Sequence, residues 1–490
     1  MSVHIVEIPH RDLFVRLFGP NAYVVGGHVR DLLMGRVSKD FDILIAGLPL
    51  EEIAERLRLH GRLDLVGRSF GVVKFTTSEG VESPITYDVA LPRTDYVSDS
   101  KTRDHRGFVV RADPSLPVTA DLERRDFTIN SMAMRISDGE LIDPLGGAQD
   151  IQRRLIRITN PATFTDDPLR VVRLARFAST LSFAVDPGLY EMCKEVDLIG
   201  LSVERIADEM TKMILRSPRP GVGFQQLLKV GALKQLFPEL YAMALCIQDA
   251  VFHPEADEYG HHTVFHHTLL VMDQAQRLSD LFDLDAPRRM VMGLSALLHD
   301  VAKPQTTAWE YKHGRLCLTS AKHDVLGAQM AEQFLKRFRV FSYEGIDVQQ
   351  LVCSIVRAHL RPLELWANRD SVTKKAFARL ATDVDGETDL LVLFDQADRA
   401  GRREELIEKL DDIAAWLMAT FREYKISRET LRPVVHGRDL LEIGFLPGPE
   451  MGRVLKELHG MQIDGVFETR EQGVELARGV SLRLFGREVC

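Results

Sequence analysis

Two aspartates, Asp40 and Asp42, have the types and the spacing that a metal site for phosphoryl transfer requires. They lie in the stretch Lys39-Asp-Phe-Asp-Ile-Leu-Ile45, whose apolar residues predict a buried strand. Since successive side chains of a strand point to opposite faces, the two carboxylates are expected to share one face. Like charges so close are costly unless a cation lies between them, and hard oxygen ligands favour Mg2+ or Mn2+. The spacing therefore predicts a divalent-metal site.

A glycine pair precedes this stretch. The apolar run from Tyr23 predicts a short strand, Gly26 and Gly27 permit a tight turn, and residues 28–34 predict a short helix. Backbone N–H groups at the start of such a helix suit a phosphate. A phosphate cradle beside paired carboxylates is the equipment of phosphoryl or nucleotidyl transfer. Alone, a Gly-Gly pair is usually a turn and an Asp-x-Asp pair an exposed strand end, so the prediction depends on the combination.

The order of strand, Gly-Gly, helix and Asp-x-Asp strand resembles the signature of the DNA polymerase β-like nucleotidyltransferase superfamily. The form Gly26-Gly-His-Val-Arg-Asp31 is similar to the class II branch, which holds bacterial CCA-adding tRNA nucleotidyltransferases and poly(A) polymerases. The resemblance implies that Asp40 and Asp42 are catalytic Mg2+ ligands. It also implies that Gly26, Gly27 and Arg30 help to bind a nucleoside triphosphate.

Asp88 is a candidate third catalytic acid. It lies in another predicted strand, from Tyr87 to Leu91. A carboxylate there, near the first two acids, would orient or deprotonate an attacking hydroxyl. Superfamily members carry a third acid on a later strand, and Asp88 is the position that matches. A strand-edge acid that faces water is the alternative.

Residues 93–117 are polar and are expected to form an irregular loop. The stretch includes Lys101, Arg103, His105 and Arg106. A loop this long is uncommon unless it is functional or mobile. In the family, the matching stretch is a flexible loop near the active site.

The stretch from Asp121 to Met134 carries further groups for a nucleotide. Arg125 can neutralise triphosphate oxygens through paired hydrogen bonds, and Asn130 can hydrogen-bond a ribose or a phosphate. Two consecutive arginines alone would indicate a solvated surface. The resemblance to the family element Arg-Arg-Asp-Phe-Thr-Ile-Asn-Ala-Met-Ala, which differs only at Ser131, reverses that interpretation. The form Asn-Ser-Met-Ala is closer to CCA-adding members than to bacterial poly(A) polymerases.

A predicted helix that begins at Asp166 or Asp167 carries three polar groups. Asp167, Arg170 and Arg173 are spaced by three, which places them on one helical face. A carboxylate that accepts from an exocyclic amine and an arginine that donates to a ring nitrogen would select cytosine and adenine. The set matches the family's nucleotide-selecting Glu-Asp-x-x-Arg motif, with Asp166 in place of the glutamate. A helical salt bridge is the alternative.

Histidines and aspartates between residues 253 and 400 form another constellation. Adjacent His299 and Asp300 in an apolar predicted helix are costly to bury unpaired, whereas imidazole and carboxylate together suit a divalent metal. The pattern resembles an HD phosphohydrolase domain, whose ligands are His, His-Asp and a distant Asp. The matching positions are His267, His299, Asp300 and Asp398, with Asp395, His323 and His359 as further candidates. A hydrolase and a scaffold both stay open.

The resemblance extends over nearly the whole chain. The predicted fold class is an α/β nucleotidyltransferase head of the polymerase β-like type, followed by an all-α neck, an HD body and a helical tail. The predicted bounds are 1–142 for the head, 143–235 for the neck, 236–402 for the HD domain and 403–490 for the tail. After residue 150, nearly all of the chain is expected to be helical. A helix that starts at Pro449 in the tail contacts RNA or packs against the HD body.

Composition agrees with an enzyme of this kind. The 490 residues are 45% hydrophobic and 27% charged, as in ordinary globular proteins. The net charge of −9 argues against a non-specific nucleic-acid coat, but it leaves a nucleic-acid substrate open. Without a long apolar run or an N-terminal signal segment, we expect a cytoplasmic protein with no membrane partner. The five scattered cysteines are expected to be thiols rather than disulfides or zinc ligands.

These observations predict a template-independent nucleotidyltransferase that adds CCA to the 3′ end of tRNA from CTP and ATP. Mg2+ serves the head, and a divalent metal of unknown identity serves the HD domain. A poly(A) polymerase and a specialist that adds only CC or only A share the same motifs. A metal-dependent HD phosphohydrolase with an RNA-binding head is an alternative from another class, against which the intact Asp40 and Asp42 argue. The oligomeric state stays open.

Overall fold

A computed structural model describes residues 8–38, 40–65, 72–77, 79, 83–97, 108–312, 314–427 and 432–486. The chain forms two compact units, residues 1–209 with 222–237 and residues 210–221 with 238–490. The first unit contains an α/β region followed by helices, and the second is mostly helical. The predicted fold class is confirmed. The finer division into four domains stays a prediction.

A mixed β-sheet forms the centre of the first unit. The strands of this unit in the described ranges are β1 Ala22–Val25, β2 Phe41–Ile45, β3 Arg62–Leu65, β4 Val72–Thr77, β5 Ile85–Ala90, β6 Arg93–Val97, β7 Phe108–Ala112, β8 Ala133–Arg135, β9 Leu141–Ile142, β10 Leu155–Ile156 and β11 Ala184–Val185. The sheet order is β3-β4-β5-β2-β1-β8-β9. Strands β2 and β5 are parallel, and their register places Asp42 opposite Asp88. Two predicted acids are therefore neighbours in the sheet.

Helices cover this sheet and follow it along the chain. The helices are α1 Arg11–Phe18, α2 Gly27–Leu33, α3 Leu50–Arg58, α4 Val118–Glu123, α5 Gly147–Arg153, α6 Leu169–Leu181, α7 Pro187–Lys194, α8 Val203–Arg216, α9 Pro220–Lys229 and α10 Ala232–Leu236. Phe14 of α1 packs edge-on against Tyr87 of β5, with 5.0 Å between ring centroids. Both rings are fully buried, so they anchor the sheet from one face while Asp42 points to the accessible face.

The polar stretch 93–117 is not wholly irregular, contrary to the prediction. Strands β6 and β7 form an antiparallel ribbon, in which Arg93 lies opposite Ala112 and Val97 opposite Phe108. The β-branched and aromatic residues in these two segments favour extended backbone, which outweighs the polar composition around them. The predicted basic loop residues Lys101, Arg103, His105 and Arg106 lie outside the described residues.

The second unit is built mainly from helices. They are α11 Pro238–Leu245, α12 Val264–Leu281, α13 Ala286–Leu298, α14 Lys303–Thr306, α15 His323–Arg337, α16 Val348–Ala358, α17 Arg361–Ala367, α18 Lys374–Asp383, α19 Thr388–Ala400, α20 Asp412–Glu423, α21 Gly437–Glu442, α22 Pro449–Ile463 and α23 Arg470–Phe485. A hairpin of β12 Thr307–Lys312 and β13 Arg315–Ser320 interrupts them. The expectation of almost pure helix missed this hairpin, whose alternating aromatic and apolar residues have the period of a strand.

Helix α12 is buried along most of its length and organises the second unit. Its N-terminus is capped by Thr263, whose side chain accepts from the backbone N–H of His266. Gly401, just after α19, lies against Val271 of α12 so closely that a Cβ would collide with it. This close approach holds the end of α19, with Asp398, beside the start of α12, with His267.

The C-terminal helices have a hydrophobic core of their own. Helix α22 begins at Pro449, as predicted, and packs with α21 and α23 around Leu440, Val454 and Leu458. Contact of this region with RNA stays a prediction. Within the described ranges, no helix is both long enough and apolar enough to cross a membrane.

Candidate active sites

The predicted acids of the first unit lie together at the edge of β2. Asp42 is on β2, Asp88 is opposite it on β5, and Asp40 is exposed just before β2. Burial raises the pKa of Asp42. The charge of Arg125 opposes this rise, whereas the charges of Asp88 and Asp40 add to it. Asp88 also lies 3.4 Å from the Nζ atom of Lys74. A group of acids in which one carboxyl resists ionisation fits a bound divalent cation, which would relieve the repulsion.

Gly26 forms the predicted turn, and its lack of a side chain makes room for Arg125. Its φ of 72° lies in the left-handed region that favours glycine. A Cβ at this position would lie 2.5 Å from Nη1 of Arg125 and 3.7 Å from Oδ2 of Asp42. The arginine therefore crosses the turn beside the candidate metal ligand. Gly27 begins α2, next to the guanidinium of Arg30.

We expect Gly26→Ala to impair the first unit more than the matched change Gly35→Ala. Gly35 has a similar φ of 68°, but the space around it is open. Both changes place a side chain at a residue with positive φ, which costs about 1–3 kcal/mol. Only Gly26→Ala displaces Arg125, so its KM for nucleoside triphosphate should rise by about tenfold, as expected for losing a charge-assisted contact of about 1.5 kcal/mol. Steady-state incorporation kinetics measure this, and equal KM values for the two variants would contradict it.

Three of the predicted nucleotide-binding residues belong to one polar network that stabilises their orientation. Nη1 of Arg30 donates to Oδ1 of Asn130 at 2.7 Å, and Nδ2 of Asn130 donates to Asp126 at 3.1 Å. Nε of Arg173 donates to the other carboxylate oxygen of Asp126 at 2.8 Å. Burial alone would raise the pKa of Asp126, but Arg173 and Asn130 hold it at about 2. Asp126 is thus an ionised bridge between α6 and the segment before β8.

Arg125 is held by a second buried carboxylate. Its Nε and Nη2 atoms donate to Oδ2 of Asp121 at 3.1 and 2.9 Å, while Nε of Arg124 donates to the other oxygen. The structure shows Asp121 and Asp126 as positioning residues that the sequence analysis did not identify. The available signal was the spacing of four residues between Asp121 and Arg125, which allows a side-chain pair on a helical turn.

The predicted base-selecting face is not formed as expected, because the helix begins at Leu169. A proline disfavours helical backbone at the residue before it. Asp167, which precedes Pro168, is therefore extended, with φ −118° and ψ 97°. Its carboxylate accepts from Nη2 of Arg205 at 2.8 and 3.1 Å. Arg170 is buried, and its two terminal nitrogens donate to the backbone carbonyls of Thr163 and Arg124, both at 2.7 Å. Arg170 and Asp167 are therefore not paired with each other.

The four predicted HD ligands come together in the second unit. Nε2 of His267 lies 2.9 Å from Oδ1 of Asp398, and Nε2 of His299 lies 3.6 Å from the same oxygen. The donor atoms of these three residues, here called the first ligand group, lie within 4.8 Å of one another. Asp300 is 3.2 Å from His299. Burial would lower the pKa of His267, but Asp398 and Glu255 hold it at about 9, so this group attracts positive charge.

Asp300, His323 and His359 form a second ligand group, also with donor atoms within 4.8 Å. Nδ1 of each imidazole contacts a backbone carbonyl at 2.6 Å and must therefore be the protonated nitrogen. Burial and His299 lower the pKa of His359 to about 4, so its ring is neutral. Nε2 of His359 is therefore an acceptor, 3.2 Å from Nε2 of His323, and a cation bound between these two nitrogens could take both as ligands. Asp395 is absent from both groups, because its carboxylate pairs with Arg399 at 2.9 Å.

Glu255 is a buried positioning residue that the sequence analysis did not identify. Its Oε1 atom lies 2.8 Å from Nδ1 of His267 and 3.0 Å from Nδ1 of His253. Burial would raise the pKa of Glu255, but the neighbouring His253 and His267 hold it at about 2. An ionised carboxylate at Nδ1 places the proton there and leaves Nε2 facing Asp398. In the sequence, Glu255 stands two residues after His253, but this spacing is not diagnostic of a positioning role.

A cavity of about 240 Å3 adjoins the second ligand group. Asp300, His323, His359 and Asp398 line it, together with Lys303. Nζ of Lys303 lies 2.7 Å from Oδ2 of Asp300. A cavity with candidate metal ligands and a lysine suits a phosphate ester, because a bound metal ion and the lysine would neutralise its negative charge.

The paired acids beside a Gly-Gly turn, joined in one chain to an HD cluster, define a nucleotidyltransferase with a fused HD domain. Residues 22–157 match the poly A polymerase head domain, residues 264–402 the HD domain, and residues 191–243 a probable RNA- and SrmB-binding site of polymerase A. The multifunctional CCA protein of Xanthomonas campestris pv. campestris (strain B100) is 34% identical over 365 residues, which are 73% of this chain and 79% of that protein. The chain belongs to the family of multifunctional CCA proteins.

Further comparisons agree with this membership. The multifunctional CCA protein of Mannheimia succiniciproducens is 34% identical over 66% of this chain and 70% of its own length. The solved CCA-adding enzyme of Bacillus stearothermophilus in complex with CTP has a TM-score of 0.58 at 19% identity and covers 98% of this chain and 100% of its own. At that identity, the structural likeness shows the fold alone.

Proposed function

We propose that this protein adds CCA to the 3′ end of tRNA from CTP and ATP, without a nucleic-acid template. The observation that carries the proposal is the register that places Asp42 opposite Asp88, with Arg125 crossing the turn at Gly26. The family membership supports it, as do solved CCA-adding enzymes in complexes with CTP, with ATP and with tRNA. A cytoplasmic location belongs to the same proposal, because the tRNA substrate is available there.

The residues of the first unit take the following roles in the transfer. Asp40 and Asp42 hold Mg2+, which when bound lowers the pKa of the RNA 3′ hydroxyl and neutralises charge on the phosphates. Asp88 orients that hydroxyl, while Arg30 and Arg125 bind the triphosphate. The 3′ hydroxyl gives its proton to Asp88, its oxygen forms a bond to the α-phosphorus, the bond from that phosphorus to the bridging oxygen breaks, and pyrophosphate leaves.

Base selection is proposed for Asp167, Arg170 and Arg173, with different duties. The carboxylate of Asp167 is accessible and accepts from an exocyclic amine of cytosine or adenine, after exchanging or sharing its bonds to Arg205. Arg173 donates to a ring nitrogen of the base, and it stays ionised because Asp126 raises its pKa. Arg170 supports the segment around Thr163 through its carbonyl bonds and reaches a base only if that segment moves.

Three tRNA transcripts that end at the discriminator base, at C and at CC test this function. Each is incubated with labelled CTP or ATP and Mg2+, beside an unrelated RNA, and sized on a gel. Growth of all three to CCA, after which addition stops, is the expected result. Growth of only some transcripts indicates a CC-only or A-only enzyme, and a long adenylate ladder on any RNA indicates a poly(A) polymerase.

We also propose that the second unit hydrolyses phosphate esters with a divalent metal. The observation that favours this second activity is that both ligand groups lie at or beside one cavity that also contains Lys303. Mixed imidazole and carboxylate donors suit a transition metal better than Mg2+. In the reaction, a water oxygen bonds to phosphorus, the ester P–O bond breaks, and the leaving oxygen takes a proton.

We expect His299→Ala to abolish metal-dependent phosphate release and to leave CCA addition intact. His299 contributes to the first ligand group and contacts Asp300, so its loss should exceed the roughly 10- to 100-fold effect of losing an outer-shell partner. His261→Ala is the control, because that histidine is exposed and lies in neither ligand group. Phosphate release is assayed with a nucleoside 3′-phosphate, and ring opening of a nucleoside 2′,3′-cyclic phosphate to its monoester is followed separately, each with several divalent metals. Equal losses of both activities would indicate misfolding instead.

A further inference from the structure

Exposed aromatic side chains project from the hairpin β12–β13 of the second unit. Trp309 is 67% exposed, Tyr311 is 74% exposed and Leu316, opposite Tyr311 in the register, is 61% exposed. Large apolar side chains that are grouped and accessible indicate a binding surface more often than isolated ones do. We call the surface formed by these three residues the hairpin platform.

The hairpin platform is continuous with the wall of the cavity that adjoins the second ligand group. Thr307 is paired with Ser320 across the hairpin, and Trp309 is paired with Leu318 two residues further along. Because alternate residues of a strand share a face, these two pairs and Tyr311 lie on the same face of the hairpin. Thr307, Leu318 and Ser320 line the cavity. Trp309 and Tyr311 therefore extend this wall outward, so one ligand can occupy the cavity and contact the platform.

The two ends of this surface differ in chemistry. The cavity end contains candidate metal ligands, Lys303 and Arg402, which suit an anionic phosphate. The outer end offers the rings of Trp309 and Tyr311, which suit the flat face of a nucleobase. A phosphate joined to one or two bases matches both ends, whereas a protein partner that covered only the apolar rings would leave the candidate metal ligands of the cavity unused.

We propose that the hairpin platform stacks the last bases of a single-stranded RNA whose terminal phosphate enters the cavity. This proposal names the substrate class of the second activity and rests on it, because the platform acts by holding that substrate at the ligand groups. Stacking on an aromatic side chain tolerates any base, so the platform recognises RNA ends without a sequence preference.

The first experiment measures binding and hydrolysis separately in the full-length protein. The probes are an RNA trinucleotide with a 3′-terminal phosphate and glycerol 2-phosphate, which has no base. Trp309→Ala should weaken binding of the trinucleotide by about tenfold or more, measured by fluorescence titration, and raise its KM to match. Hydrolysis of glycerol 2-phosphate should be unchanged. Trp309→Phe keeps a ring and should restore most of the affinity.

Tyr259→Ala is the matched control, because Tyr259 is 76% exposed and does not line the cavity. Equal effects of Trp309→Ala on both probes, or no effect on the trinucleotide, would overturn the proposal. So would a hairpin variant that changes only the oligomeric state in light scattering, because the platform would then be a protein interface. If neither probe is hydrolysed but the trinucleotide still binds through Trp309, the hydrolase proposal fails and the stacking site stands.

Discussion

Replacing Asp42 by asparagine is expected to reduce nucleotide incorporation by about 1,000-fold or more. The change removes a charge from the acids that hold Mg2+, and a metal that stabilises the transition state contributes several kcal/mol, with each 1.36 kcal/mol worth tenfold in rate. Asn and Asp have nearly the same size, so packing around β2 should persist. Single-turnover incorporation of labelled CTP into a tRNA that ends at the discriminator base measures the loss.

Asp64→Asn is the control for this change. Asp64 lies on β3 of the same sheet, and it pairs with the exposed Arg62. Its incorporation rate should stay within about twofold of the wild type, since exposed ion pairs contribute little. Phosphate release by the second unit should be unaffected in the Asp42 variant. An Asp42→Asn enzyme with wild-type incorporation would eliminate the proposed mechanism.

Replacing Asp126 by alanine is expected to destabilise the first unit by about 3–5 kcal/mol, the usual cost of breaking a buried ion pair by removing one partner. Asp126 is buried and accepts hydrogen bonds from Asn130 and Arg173, as well as from the backbone N–H of Phe127. Without the carboxylate of Asp126, Arg173 on α6 keeps its positive charge but loses its main partner. Urea unfolding, together with hydrogen exchange across residues 118–181, measures the change.

The exposed residue Asp138, which pairs with Arg135, supplies the control variant Asp138→Ala. We expect the unfolding midpoint of this variant to stay close to that of the wild type.

The contribution of Asp126 to stability should depend on pH. Folding lowers the pKa of Asp126 from 3.8 to about 2, so its stabilising contribution is present above about pH 4 and is lost as the pH falls towards 2. The stability difference between the wild type and Asp126→Ala should shrink over that range. A difference that does not depend on pH would assign the effect to packing.

Features that depend on neighbouring residues could be predicted from the sequence. The strand that carries Asp42 and the turn at Gly26 follow from local backbone preferences, whereas Asp40 lies just before β2 and His299 and Asp300 just after α13. The periodicity of such elements is set within a few residues, because a strand repeats every two residues and a helix every 3.6. The family resemblance then supplied the fold class, the second set of nucleotide-binding residues and the HD ligands.

Local interpretation was wrong where a single residue altered the backbone. The spacing of Asp167, Arg170 and Arg173 has a helical period, but the helix begins at Leu169 and Pro168 keeps Asp167 extended before it. The polar stretch 93–117 and the hairpin of β12 and β13 were missed for a related reason. Short strand patterns beside polar or helical segments are weak signals until a partner strand pairs with them.

The tertiary structure alone decided which distant residues meet. Asp42 lies opposite Asp88 because β2 and β5 pair in parallel, and Asp121, Asp126 and Glu255 hold groups whose chemistry had already been predicted. Such contacts depend on strand register and on the packing of elements far apart in the chain. A buried charge or donor must find a partner wherever the fold places one, and no sequence period encodes that choice. The sequence alone therefore determined the reacting groups, and the fold determined what positions them.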